Sequence, residues 1–141
     1  MMTSDAYTIA LTGIFFILLT LLVQWFIASK TKAAQAGAIP GKLDPSLSHA
    51  SFVFRAHRTF HNSLENLPLM LGTAFLALFV GANPLWTGIL IWLFALARIG
   101  HMALYYTIAT ETNPSPRTWL FMLGLIANIG LLGLCGATLL R

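Results

Sequence analysis

Three short stretches hold most of the residues that could do chemistry. Residues 55–68 read R-A-H-R-T-F-H-N-S-L-E-N-L-P and carry two of the eight Lys/Arg residues, one of the four acids and two of the four histidines. At about 100° per residue on a helix, Arg55, Arg58, His61, Asn62, Glu65 and Asn66 fall within an arc of about 140°, opposite Ala56, Phe60, Leu64 and Leu67. Further along, Arg98, His101 and Tyr105 follow i, i+3, i+7 spacing and share a helix face. Arg117 stands immediately after Pro116. Cations in this set outnumber its single carboxylate, so it suits an anionic ligand, with Glu65 available for an amine. A small zwitterionic or polyanionic molecule fits that inventory. A metal does not, because the arginines repel cations and only Glu65 offers a carboxylate. His57 and His61, four apart, could ligate zinc or haem, but no third ligand is evident. Both aspartates lie in the tail or the first loop, which argues against a Ser-His-Asp set. Cys135, the single cysteine, sits in an apolar run among glycines and reads as a packed structural thiol.

The elements that must position these groups are membrane helices. In 141 residues, 57% are hydrophobic and only 9% charged, with a mean hydropathy of +0.79. That composition indicates one integral membrane domain. The net charge of +4 comes without a basic patch interleaved with aromatics, so nucleic acid is not a partner. Residues 6–29 carry no charge and would span about 36 Å as a helix, enough to cross a bilayer with some tilt. Residues 30–51 form a polar connection with turn signals at Pro40-Gly41 and Asp44-Pro45. A second helix over about 50–80 takes the polar stripe as its first third and is expected to bend at Pro68, just beyond Glu65. A turn at Gly81–Pro84 leads to a third helix over about 85–106. Asn113-Pro114 closes a short loop before a fourth helix over about 116–140, where Gly133 and Ala137 have the small-xxx-small spacing of close helix contacts. The fold class is therefore all-α, an integral membrane four-helix bundle spanning 1–141. A lone headgroup-facing helix start is the plainer reading of the stripe, but the stripe is dense and Glu65 deep for that role. A structural pair with Glu65 is the plainer reading of Arg98.

Charge distribution orients the bundle. Lys30, Lys32, Lys42, Arg55 and Arg58 cluster about the first loop and Arg117 lies by the third, whereas the second loop has none. The positive-inside rule then puts both long loops in the cytoplasm and both termini outside, with Arg141 the one dissenter. Arg55, Arg58, Glu65, Tyr105 and Arg117 lie near the cytoplasmic face, and Arg98 and His101 deeper.

Residues 58–68, R-T-F-H-N-S-L-E-N-L-P, resemble the R-A-x-x-N-x-x-E-x-x-P pattern of the membrane-associated proteins in eicosanoid and glutathione metabolism, the MAPEG family. Residues 98–105, R-I-G-H-M-A-L-Y, are similar to that family's R-x-x-H-x-x-x-Y. In P-S-P-R-T, Arg117 falls where the family has an arginine opening its last helix. The resemblance implies a homotrimer of four-helix bundles that binds glutathione between subunits near the cytoplasmic face. It implies that Arg58, Asn62 and Glu65 contact glutathione from the second helix, with His61 beside them. Arg98, His101 and Tyr105 would do so from the third helix, and Thr118 from the fourth. Arg117 is implied as the arginine that stabilises the thiolate; Arg98, which lies well inside an apolar segment near His101, is its rival for that catalytic role. Departures are His61, where some members have arginine or valine, Asn66, where some have tyrosine, and Phe121, where some have a tyrosine that contacts glutathione.

Elementary chemistry is consistent with that role. A free thiol of pKa about 8.5 is only about 3% thiolate at pH 7, and a guanidinium that lowers it by about two units, worth roughly 2.7 kcal/mol, makes thiolate the majority form. The expected function is a glutathione-dependent transferase or peroxidase acting on hydrophobic small molecules that arrive from the membrane lipids. A non-catalytic trimer binding a thiol or anionic lipid as a scaffold or regulatory protein is the second reading, and a small transporter subunit the third. Glutathione affinity without turnover separates the second from the first, and flux into vesicles without covalent product identifies the third.

Overall fold

Four stretches of this chain can satisfy their backbone polar groups internally, which is the condition for crossing a bilayer. A computed structural model describes residues 4–112 and 115–140. Among them are four long helices and no strand: α1 (Thr8–Ala33), entered through a 3₁₀ turn at Ser4–Tyr7, α2 (Phe52–Phe79), α3 (Pro84–Thr107) and α4 (Pro116–Leu139). The Asn113-Pro114 turn and Arg141 lie outside the described residues. α1, α3 and α4 are long and apolar enough to cross a membrane. α2 is long enough but carries Arg55, Arg58 and Glu65 in its first half.

Helix ends follow local chemistry. α1 continues past the charge-free stretch, so Lys30 and Lys32 occupy its last turn. Cations there complement the helix dipole, and their long stems let the charge reach the interface. α2 runs as one helix through Pro68, so the expected bend does not interrupt it. It closes on Gly81 at φ +69°, where Gly81 N–H donates to Leu78 O at 3.3 Å and Ala82 N–H to Ala77 O at 2.9 Å. That pair of bonds is a Schellman cap, and the positive φ explains the glycine. The Asn83 side chain accepts from Trp86 N at 3.1 Å to start α3. At the start of α4, Ser115 and Thr118 form a reciprocal capping box with Pro116 in the first turn.

α3 is the central strut, packing most extensively on α4 and then on α1. The core is built from Ala10, Ile14 and Ile17 of α1, Met70, Ala74 and Ala77 of α2, Ile91, Phe94 and Ala95 of α3, and Ala127, Leu131 and Cys135 of α4. Cys135 is buried, with its thiol 3.7 Å from Thr73 O. Large apolar side chains instead point outward, Phe15, Leu22, Phe26, Phe79, Leu96, Trp119 and Ile129 among them. This inside-out distribution suits a hydrocarbon solvent. Lipid is as apolar as leucine, so small residues that let backbones approach hold the helices together.

One such approach is at Gly13. A Cβ there would lie 2.8 Å from Ile91 Cγ2 and 3.3 Å from Trp92 Cδ1. Neither neighbour is free to move, since Ile91 is fully buried and Trp92 Nε1 donates to Ile9 O at 2.9 Å. Gly13→Ala is therefore expected to cost about 1–3 kcal/mol through overpacking. Thermal unfolding in detergent measures this, and an unchanged midpoint would show that α1 and α3 are not this close.

Candidate functional site

The N-terminus of α4, the last two turns of α3 and the middle of α2 meet in an open cleft of about 280 Å³. Asn62, His101, Tyr105, Ser115, Arg117, Thr118 and Phe121 line it. Asn62, His101, Tyr105, Arg117 and Thr118, expected from the sequence to share a site, are thus brought together. Ser115 joins them. Its only sequence signal is the cap pattern before Pro116, which announces a helix start rather than a site.

Arg117 is 7% exposed. Its Nη2 donates to Thr110 O at 2.7 Å and its Nε to Ser115 Oγ at 3.4 Å. Its guanidinium carbon lies 4.0 Å from the centre of the Tyr105 ring, a cation–π contact. The remaining nitrogen, Nη1, is buried without a partner. His101 Nδ1 and Asn62 Oδ1 are also buried and unpartnered, so the same cleft holds three orphaned polar groups. Buried polar groups are ordinarily hydrogen-bonded, so a cluster of unsatisfied ones marks a place where a polar ligand can bind. Arg117 supplies a donor that fits an anion, the His101 nitrogen can donate or accept according to its tautomer, and Asn62 adds an acceptor.

The other expected residues lie elsewhere. Arg58, His61 and Glu65 are exposed on the outer face of α2, beside Asn62 but not lining the cleft. His61 stacks near His57, with ring centres 4.1 Å apart, and no group of three or more His, Cys, Asp or Glu forms among the described residues. Arg98 points into the bundle rather than into the cleft. It is 4% exposed and donates from Nη2 to Ser63 Oγ at 2.8 Å, beside a small pocket shared with Ile17, Thr20, Leu21, Leu67 and Phe94. The pair with Glu65 weighed as the plain reading of Arg98 is not formed. Asn66 turns its side chain back on its own helix, donating to Asn62 O at 2.7 Å.

Arg55 leaves the stripe altogether. It is buried, and its Nη1 donates to His49 O at 2.6 Å and Ala50 O at 3.0 Å while Nη2 reaches Tyr106 O at 3.4 Å. It therefore ties the 34–51 connection to the end of α3. Next to it, His49 contacts Glu111 and Tyr105, two further contacts that the sequence did not announce. Hydrogen bonds from the His49 ring and backbone hold the Glu111 carboxyl below the usual carboxylate range.

With this geometry in view, residues 6–137 match the MAPEG family, nearly the whole chain, and the protein belongs to that family. It is an integral membrane protein, as the family's membrane character and the three apolar helices require. The family includes glutathione transferases and peroxidases together with other members. No curated protein and no solved structure matches the chain.

The anchoring role of Arg55 makes a direct prediction. Arg55→Ala leaves three carbonyls without this donor and is expected to cost about 1–3 kcal/mol. Limited proteolysis should then cut within residues 34–51 faster than in the unaltered protein. Equal cutting rates would mean that the connection is held by other contacts.

Proposed function

We propose that this protein is a membrane-embedded glutathione-dependent transferase or peroxidase, using an arginine-stabilised thiolate against lipophilic electrophiles. The observation that carries the reading is the buried, unpartnered Nη1 of Arg117 in a cleft that also holds unpartnered His101 and Asn62 atoms. Family membership supports it, since glutathione transferases are among the members. Arg117 holds the sulfur of glutathione as thiolate. Its acceptors are a carbonyl and a hydroxyl, which leave its positive charge unneutralised, and the amino end of α4 adds its dipole. Arginine suits this task because it stays charged where lysine can lose its proton. His101, Tyr105, Asn62 and Thr118 line the same cleft and orient the peptide. Arg58 and Glu65, with His61 beside them, complete the charged rim for the carboxylates and amine. Arg98 is a positioning residue in this scheme, fixing α3 to α2 through Ser63. The electrophile approaches laterally from the bilayer along the apolar flank of α4, past Phe121.

The reading extends to assembly and orientation. Three chains pack so that the charged outer face of α2 meets a neighbour, and the cleft opens to the cytoplasm with both termini on the other side. Cross-linking in mild detergent should therefore build to a trimer, and a ladder that stops at dimer overturns the assembly. Single cysteines introduced in the 34–51 connection and near Asp5, on a Cys135→Ser background, should label from opposite sides of sealed vesicles. Labelling of both from one side sinks the orientation.

For the chemistry, Arg117→Ala should lower kcat by about tenfold to a thousandfold, the range for removing one preorganised electrostatic contact. It should abolish the ultraviolet band of the thiolate, with less change in glutathione affinity. Arg58→Ala should mainly raise KM, because a contact to remote carboxylates acts equally in ground and transition states. If Arg117→Ala keeps turnover and the thiolate band while Arg98→Ala loses both, the roles of the two arginines are reversed.

A further inference from the structure

The groups behind Tyr105 belong to no motif and to neither wall of the cleft. His49 stands three residues ahead of α2, in the connection from α1. Its Nε2 lies 2.9 Å from Tyr105 Oη and its Nδ1 lies 3.1 Å from Glu111 Oε1. Its backbone N–H donates to the same carboxylate oxygen at 3.3 Å. The imidazole stacks on the Tyr105 ring with centres 5.7 Å apart and meets Phe54 edge-on. The charged or titratable groups around it are Arg55 of α2, on its carbonyl, Tyr105 of α3 and Glu111 of the connection to α4. Arg117 of α4 lies against the Tyr105 ring.

Donor and acceptor chemistry orders this chain. An ionised carboxylate can only accept, so the hydrogen lies on Nδ1 of His49. In the neutral ring Nε2 is then a lone pair, and the Tyr105 hydroxyl must be the donor to it. The result is a carboxylate, an imidazole and a phenol in series. The phenol end belongs to a residue that lines the Arg117 cleft, and the carboxylate end is 65% exposed to solvent.

We propose that His49, backed by Glu111, is the proton acceptor for a thiol bound in the Arg117 cleft, reached through Tyr105. The proposal rests on the glutathione reading and extends it to the fate of the thiol proton. In the step, the S–H bond breaks and its electron pair stays on sulfur beside Arg117. Tyr105 Oη takes that proton as it passes its own to Nε2 of His49. The imidazolium so formed faces the Glu111 carboxylate and discharges to water. His49 therefore acts through Tyr105 rather than on the ligand, and the cleft lining does not include it.

Two measurements test this separately from the glutathione reading. In the ligand-free protein, nitrogen NMR of the His49 ring should report the Nδ1–H tautomer, and the exposed-site variant Glu111→Gln should weaken that preference. An Nε2–H tautomer in the unaltered protein overturns the relay before any thiol is added. On rapid mixing with glutathione, the thiolate band should form at least about tenfold more slowly in His49→Gln, since a positioned proton acceptor contributes about 10²–10⁴-fold. Glutamine can still bond Tyr105 but cannot take up a proton. Glutathione affinity should stay within about twofold, and added imidazole should restore part of the rate. Should His49→Gln prove poorly folded, Glu111→Gln and Tyr105→Phe give the same slowing on a helix content unchanged by circular dichroism. Rates equal to the unaltered protein in these variants overturn the proposal. An Nδ1–H tautomer together with no thiolate band in the unaltered protein refutes glutathione as the ligand, and with it a thiol as the proton source.

Discussion

The structure depends on keeping guanidinium groups inside an apolar bundle without neutralising them. Three arginines are buried, and each is held by neutral acceptors. Arg55 has three backbone carbonyls, Arg98 the Ser63 hydroxyl, and Arg117 the Thr110 carbonyl, the Ser115 hydroxyl and the Tyr105 ring. The Glu111 carboxylate faces the His49 ring instead, at 3.1 Å, and touches none of these arginines. A carboxylate partner would stabilise a buried guanidinium more directly, but it would also cancel its field. Carbonyl and hydroxyl dipoles solvate the cation and leave its net charge in place.

That requirement explains why α4 begins where it does. The capping box of Ser115 and Thr118 satisfies the first turn, and the same Ser115 hydroxyl accepts from Arg117 Nε. The element that starts the helix thus also aims the guanidinium back toward Tyr105 on α3. The close approach of α3 to α4 comes from small residues. At Gly124 a Cβ would only just touch Phe94 and Ala97, at 3.5 Å and 3.8 Å, and at Gly100 it would already press on Leu120 at 3.0 Å. Packing in the apolar half therefore sets the distance between the helices that carry the cleft residues in the polar half.

Much of this was legible in the sequence because membrane helices are written in long charge-free runs. The misjudged end of α1 has a physical cause: Lys30 and Lys32 look like the start of a loop, yet lysines suit the last turn of a helix at an interface. The cleft residues on α3 and α4 could be anticipated from i, i+3, i+7 spacing and from the Pro116-Arg117 helix start. Spacing alone could not separate Arg98 from His101. Their Cα–Cβ directions differ by about 60°, and a long side chain on a helix wedged among three others can turn either way. Here it turned toward Ser63. Arg55 fits the polar arc by angle but stands in the first turn of α2, where carbonyls of the incoming chain attract it. The pairing of His49 with Glu111 joins residues 62 positions apart, and no local pattern records such a contact.

The polar face of α2 sets the last constraint. α1, α3 and α4 can each present an apolar surface to lipid, but α2 presents Arg58, His61 and Glu65, all exposed in the single chain. Charged groups at bilayer depth are costly unless they face protein or a water-filled cavity. The first half of α2 therefore belongs either at the level of the headgroups or against another chain. Its C-terminal half is apolar and carries Phe75 and Phe79 outward, a surface that suits hydrocarbon. Within one helix the two halves thus ask for different surroundings. Headgroups or protein beside the polar half and lipid beside the apolar half satisfy both.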